Sequence, residues 1–167
     1  AGILCEDDPV ELIDGEIVEL SPIGSRHAAG VRRSGEAMRS QLPPQVAIVS
    51  IQNPLGLGDY NEPQPDVALL RFRPDNYASA HPTPEDVLLV LEVADSSLAH
   101  DRRTKLPLYA AAGIPESWLL DLEGEALERH TEPSGGRYGV VVRVGRGKEL
   151  ESTTVEGLVL RVDELLG

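Results

Sequence analysis

Hydrophobic and polar positions recur along this chain with a period that changes, and each change marks an element. Residues 10–14 and 16–20 are two short alternating runs around Asp14-Gly15, a pair that tolerates the left-handed backbone of a tight hairpin turn. Ser21, Pro22 and Gly24 break that pattern. Residues 25–42 then put Ala28, Val31, Gly35, Met38 and Leu42 on one helical stripe, with His27 at its edge. Arg26, Arg32, Arg33 and Arg39 fall on the other side, and Pro43-Pro44 ends the helix. Residues 46–52 are a β-branched run that reads as a strand, and 53–64 a loop rich in Gly, Pro and Asn. A second strand covers 66–72, and 74–86 is an irregular, proline-rich connection.

Residues 87–94 form a near-continuous apolar run, the pattern of a strand buried on both faces. The helix after it stops at Gly113, with Pro115 two residues on. Pro107 is tolerated only in a first turn, so regular helix is expected from near Thr104, with Asp101 in the lead-in. Residues 117–122 are another buried strand, 126–131 and 138–144 a hairpin, and the leucine-rich tail an edge strand with a short helical turn. The order of elements predicts a mixed α/β fold of one domain over 1–167, opened by a β-hairpin and closed by antiparallel strands.

Into the apolar run is set one carboxylate, Glu92. An acid there loses several kcal/mol of hydration, roughly, unless a cation or a proton compensates it. Asp66 begins its strand and Glu92 lies near the end of its own. If the two strands are antiparallel neighbours, both carboxylates converge at one rim of the sheet. Two carboxylates so close do not both stay ionised without a cation, and oxygen ligands suit Mg²⁺, or Mn²⁺ as a substitute. The Val93 carbonyl is a candidate third ligand. Lys105, one of two lysines against thirteen arginines, falls on the helix face that should meet the sheet. An ammonium there suits phosphodiester hydrolysis, where it orients water or stabilises charge on the phosphorane.

Charge and cysteine content add limits. The net charge of −13 argues against a broad basic surface, although the four arginines of 25–42 are candidates for phosphate contacts. No apolar run approaches the roughly 18 residues of a membrane helix. A single cysteine, Cys5, has no internal disulfide partner, so a reducing, cytoplasmic setting is the expectation. No phosphate-binding glycine loop or cysteine-rich zinc cluster is present in the sequence.

Pro65-Asp66, Glu92-Val93-Ala94, Asp101, Lys105, Tyr109, Gly113-Ile114-Pro115-Glu116-Ser117-Trp118 and Asp121 together resemble the Uma family of restriction-endonuclease-like proteins. Residues 11–16, Ser21-Pro22 and His27 look like that family's opening. The family is a branch of the PD-(D/E)XK nuclease superfamily, so the resemblance implies a restriction-endonuclease-like core, a mixed sheet flanked by helices. It also implies a Mg²⁺-dependent DNA endonuclease with Asp66 and Glu92 on the metal. The superfamily lysine two residues after the glutamate is Ala94 here, which makes Lys105 the candidate in its place. Glu16 and His27 are further candidates to line the site, against the plainer reading of a surface acid and a helix-edge residue. Tyr109 and Trp118 read as core or rim aromatics. A homodimer is expected if both strands of a duplex are cut. The alternative is a non-catalytic binding or assembly module that keeps the fold without the reaction, a reading that Ala94 and the acidic charge favour.

Overall fold

The computed structural model describes residues 9–20 and 22–167; Cys5 lies outside the described residues. Two strands, β1 (Val10–Ile13) and β2 (Glu16–Glu19), form a ribbon of their own, and α1 (Ser25–Gln41) follows. The main sheet is built from β3 (Ala47–Ile51), β4 (Val67–Arg71), β5 (Val87–Ala94), β6 (Glu116–Asp121), β7 (Ala126–Ser134) and β8 (Arg137–Gly145), side by side in that order. Only β5 and β6 run parallel. Their crossover is helical: α2 (Leu98–His100), a π-helical turn over Asp101–Lys105, and α3 (Leu106–Ala111). A last ribbon, β9 (Glu149–Glu151) with β10 (Val159–Arg161), leads into α4 (Val162–Leu166). Among the described residues no helix is long and apolar enough to cross a membrane.

Alternation along β4 and β5 divides the core in two. Val67, Leu69, Leu91 and Val93 pack against Val31 and Met38 of α1, Leu165 of α4 and the β9–β10 ribbon. Ala68, Leu70 and Val90 face the other way, onto Tyr109, Ile114 and Leu55. Apolar side chains on both faces explain why residues 87–94 read as an unbroken run. The tail departs from its expected place: β9 and β10 pair with each other and cover the α1 face of the sheet, so neither extends its edge. Their inward residues, Leu150 and Leu160, are buried there beside Leu158.

The crossover also differs from expectation. Helix begins at Leu98, not near Thr104, and runs through the wide turn to Ala111. Pro107 has no N–H to give the carbonyl one turn back. The π turn ahead of it, closed by Leu106 N–H donating to the Asp101 carbonyl, carries the chain past the proline without ending the helix.

Two glycines let α1 approach the sheet closely, and they differ in what a side chain would meet. A Cβ at Gly30 would lie 2.8 Å from Val93 Cγ1 and 3.5 Å from Leu122 Cδ2, both in the packed core. At Gly35 the contact, 2.7 Å, is with the flexible Cδ1 end of half-buried Ile51. Alanine gains about 1 kcal/mol of helix propensity over glycine. Gly35→Ala is therefore expected to be close to neutral in thermal unfolding. Gly30→Ala should lose about 1–2 kcal/mol net, because overpacking against a rigid valine exceeds the propensity gain.

Candidate active site

Register alone brings the two acids together. Val67 pairs with Leu91 across β4 and β5, so one step back Asp66 stands opposite Glu92. The Asp66 N–H donates to Glu92 Oε2 at 3.3 Å, and the Val93 N–H donates to Asp66 Oδ2 at 2.8 Å. Gln52, just past β3, donates to Asp66 Oδ1 at 3.2 Å. Asp66 is 7% exposed and Glu92 2%, at the floor of a cavity of about 640 Å³ that opens at this end of the sheet.

Glu92 points to the face covered by α3. Tyr109 donates to its Oε1 at 2.5 Å, and the Lys105 ammonium lies 3.3 Å from the same oxygen. Lys105 also lies 3.0 Å from Oε1 of Glu11, a buried acid on β1 that takes the Gln64 N–H at 2.7 Å. The π turn sets Asp101 and Lys105 both into the cavity, and Ser97 donates to Asp101 Oδ2 at 2.6 Å. From the opposite face, His27 on α1 reaches Asp66 Oδ2 with Nε2 at 2.9 Å, while its buried Nδ1 has no partner among the described residues.

Eight titratable groups thus line one pocket: five acids, Glu11, Glu19, Asp66, Glu92 and Asp101, against Lys105, His27 and His100. Burial pushes the Glu92 carboxyl up to about 8, against the pull of the Lys105 ammonium. Burial likewise raises Asp101, which its bond from Ser97 only partly offsets. Burial alone would lower Lys105, but the carboxylates of Glu92 and Glu11 outweigh it and hold the ammonium protonated well above its ordinary range. The hydrogen bond to Asp66 raises His27. These shifts describe a pocket short of positive charge.

Of the residues expected from sequence, Asp66, Glu92, Val93, Lys105 and His27 line this cavity and Glu16 does not. Glu16 is exposed beside the Asp14-Gly15 turn, paired in register with Ile13 at the far end of the ribbon. Glu11, which sequence reasoning did not single out as a site residue, takes that place. Its signal was an acid inside an alternating apolar run, but alternation does not say what a ribbon face will meet. Of the four arginines of α1, Arg32, Arg33 and Arg39 line one groove beside Ile51, and Arg26 stands apart from it. Arg26 bonds Asp95 at 3.1 Å and the Leu122 carbonyl, Arg33 bonds the Leu166 carbonyl, and Arg32 and Arg39 flank Ile51. Among the described residues no arginine lines the cavity.

The Uma2 family, described as "Putative restriction endonuclease", matches residues 3–163. The chain belongs to the Uma2 family. A crystal structure from Anabaena variabilis, titled as a putative nuclease belonging to DUF820, superposes with a TM-score of 0.77 at 16% identity. The match covers 98% of this chain and 93% of that one, and at such identity it speaks for the fold. No curated protein matches the sequence. The mixed sheet and its flanking helices are the fold that this Uma2 chain shares with that structure.

Proposed function

We propose that this Uma2 chain is a metal-dependent endonuclease that hydrolyses DNA phosphodiester bonds. The observation that carries the reading is the excess of buried carboxylates over cations in one open pocket, with a protonated lysine fixed among them. Hard oxygen donors at one sheet rim, with a carboxyl that burial makes reluctant to ionise, fit a divalent cation such as Mg²⁺, with Mn²⁺ as substitute. Asp66, Glu92 and the Val93 carbonyl would hold it. Bound there, the ion supplies Lewis-acid polarisation of the scissile phosphate.

The chain's own residues do the rest. Lys105 is held protonated, so it serves as a hydrogen-bond donor and positive charge rather than as a base. It orients the attacking water or stabilises the oxygens of the phosphorane as charge builds on them. Glu11 fixes the ammonium from the ribbon side, and Tyr109 fixes Glu92 from below. His27 orients Asp66 through Nε2, and that bond favours the protonated form of its ring.

Calorimetric titration with Mn²⁺ tests the reading on wild type, Asp66→Asn and Glu92→Gln, beside cleavage of supercoiled DNA. Each variant should lose affinity by roughly tenfold or more, and cleavage with it. Equal Mn²⁺ binding by all three chains ends the metal assignment. Metal binding without cleavage of supercoiled, linear, single-stranded or branched DNA would leave a binding or assembly module on a nuclease fold.

A further inference from the structure

We infer that the cleft takes an unpaired nucleotide, so that the reaction proposed above acts on single-stranded or locally opened DNA in preference to a closed duplex. The inference rests on that reading of the site. Its first ground is depth. Asp66 and Glu92 lie on the floor of the cavity and expose 7% and 2% of their surface. A phosphate that reaches them must bring its sugar and base down with it, and a base stacked in a duplex does not follow without being extruded.

The second ground is the wall. The cavity is also lined by Pro9, Val18, Leu20, Pro22 and Ile23, a largely apolar side with Glu19 among them, built from the end of the ribbon and the segments flanking it. Ile23 is 51% exposed at the mouth. Apolar side chains left open around a polar floor mark a ligand contact. Here they offer an extruded base the dry surface that replaces its stack. The third ground is charge. Duplex binding is driven by neutralising many phosphates, and no arginine lines this cavity among the described residues, in a chain of net charge −13. One phosphate, met by Lys105 and His27, asks much less of such a surface.

The test uses one labelled sequence as free single strand, closed duplex and duplex with a single-stranded flap. Cleavage is followed in Mn²⁺, and binding by fluorescence anisotropy in Ca²⁺. The single strand and the flap should exceed the duplex by about tenfold or more, since extrusion from an intact stack is the step they avoid. Ile23→Asp should weaken single-strand binding by about tenfold without moving the thermal midpoint, because an exposed side chain supports little packing. Ile23→Trp should tighten it, because aromatic rings stack bases of any sequence. A duplex bound and cut as well as the single strand overturns the inference while leaving the hydrolytic reading intact. So does an Ile23→Asp chain that binds like wild type. Absence of all cleavage removes the hydrolytic reading, and the anisotropy series then decides the inference alone.

Discussion

Glu116→Ala is expected to destabilise this protein by about 4 kcal/mol, with loss of order in the segment between β9 and β10. Glu116 is fully buried at the start of β6, and its carboxylate gathers donors from two parts of the chain. Trp118 Nε1 donates at 2.5 Å, Ser152 Oγ at 2.9 Å, Thr153 N–H and Oγ1 at 3.0 and 3.1 Å, and Thr154 N–H at 2.9 Å. Hydrogen bonds to a charged acceptor contribute about 1.5–3 kcal/mol each, and donors stranded in the interior lose their hydration as well. The bonds share one acceptor and do not add, which brings the total to about 4 kcal/mol. At about 2–4 °C per kcal/mol for a chain of this size, the midpoint of thermal unfolding should fall by about 10 °C. Glu116→Gln should fall between the two, since its amide nitrogen faces donors. A midpoint within a degree or two of wild type for the alanine variant would contradict this account. Glu116 belongs to the segment that carries the family resemblance, yet its work here is to pin the tail onto the sheet.

The second large effect concerns Lys105. Lys105→Met keeps the length of the side chain and removes the charge shared by Glu11 and Glu92. Cleavage should fall by about 10²–10³, the loss typical of removing one preorganised donor from a developing oxyanion. Stability should respond as well, in a pH-dependent way. In the folded chain burial holds the Glu92 proton up to about 8, whereas the unfolded chain releases it in the ordinary carboxylate range. Between those values the native state binds more protons than the unfolded one, so this group makes stability fall as pH rises. Wild type moderates that slope through the Lys105 ammonium, and the methionine variant lacks the moderation. Urea unfolding should therefore show stability still falling above about pH 8 for Lys105→Met, where the Glu92 contribution has levelled off in wild type, and a flatter decline for wild type when Mn²⁺ is added. Parallel slopes for the two chains would show that Lys105 does not neutralise Glu92.

Much of this arrangement is legible in the sequence, and the parts that are not share a cause. The strand at Val87–Ala94 has the bounds its apolar run predicts, because a strand covered on both faces leaves no ambiguity of period. Asp66 and Glu92 converge because the β4–β5 register is antiparallel, the one pairing assumed for them. The crossover was harder. Pro107 argues locally for a helix start, and only the π turn, which no periodicity of 3.6 announces, lets the helix begin earlier. Glu11 and Glu16 sit on the same face of the ribbon, so alternation cannot choose between them. What chooses is where the ribbon docks: the Leu12–Glu62 bridge places Glu11 over Lys105 and leaves Glu16 at the free turn. The β9–β10 ribbon was missed as a covering layer for the same reason, since short strands do not state which sheet they join.

Among the described residues the backbone of the β1–β2 ribbon hydrogen-bonds only within the ribbon and its flanks and to the 60–64 loop, never to the main sheet, and only the Glu11 side chain reaches on to Lys105. Its backbone is therefore no part of the framework that holds the acid pair, although it lends the cavity the Glu11 carboxylate and Val18, and the segments flanking it supply the rest of the apolar wall. Exchanging this short segment would recast the shape of the entrance while the floor that carries Asp66 and Glu92 stays as it is. Selection is in that sense free to act on the two pieces separately.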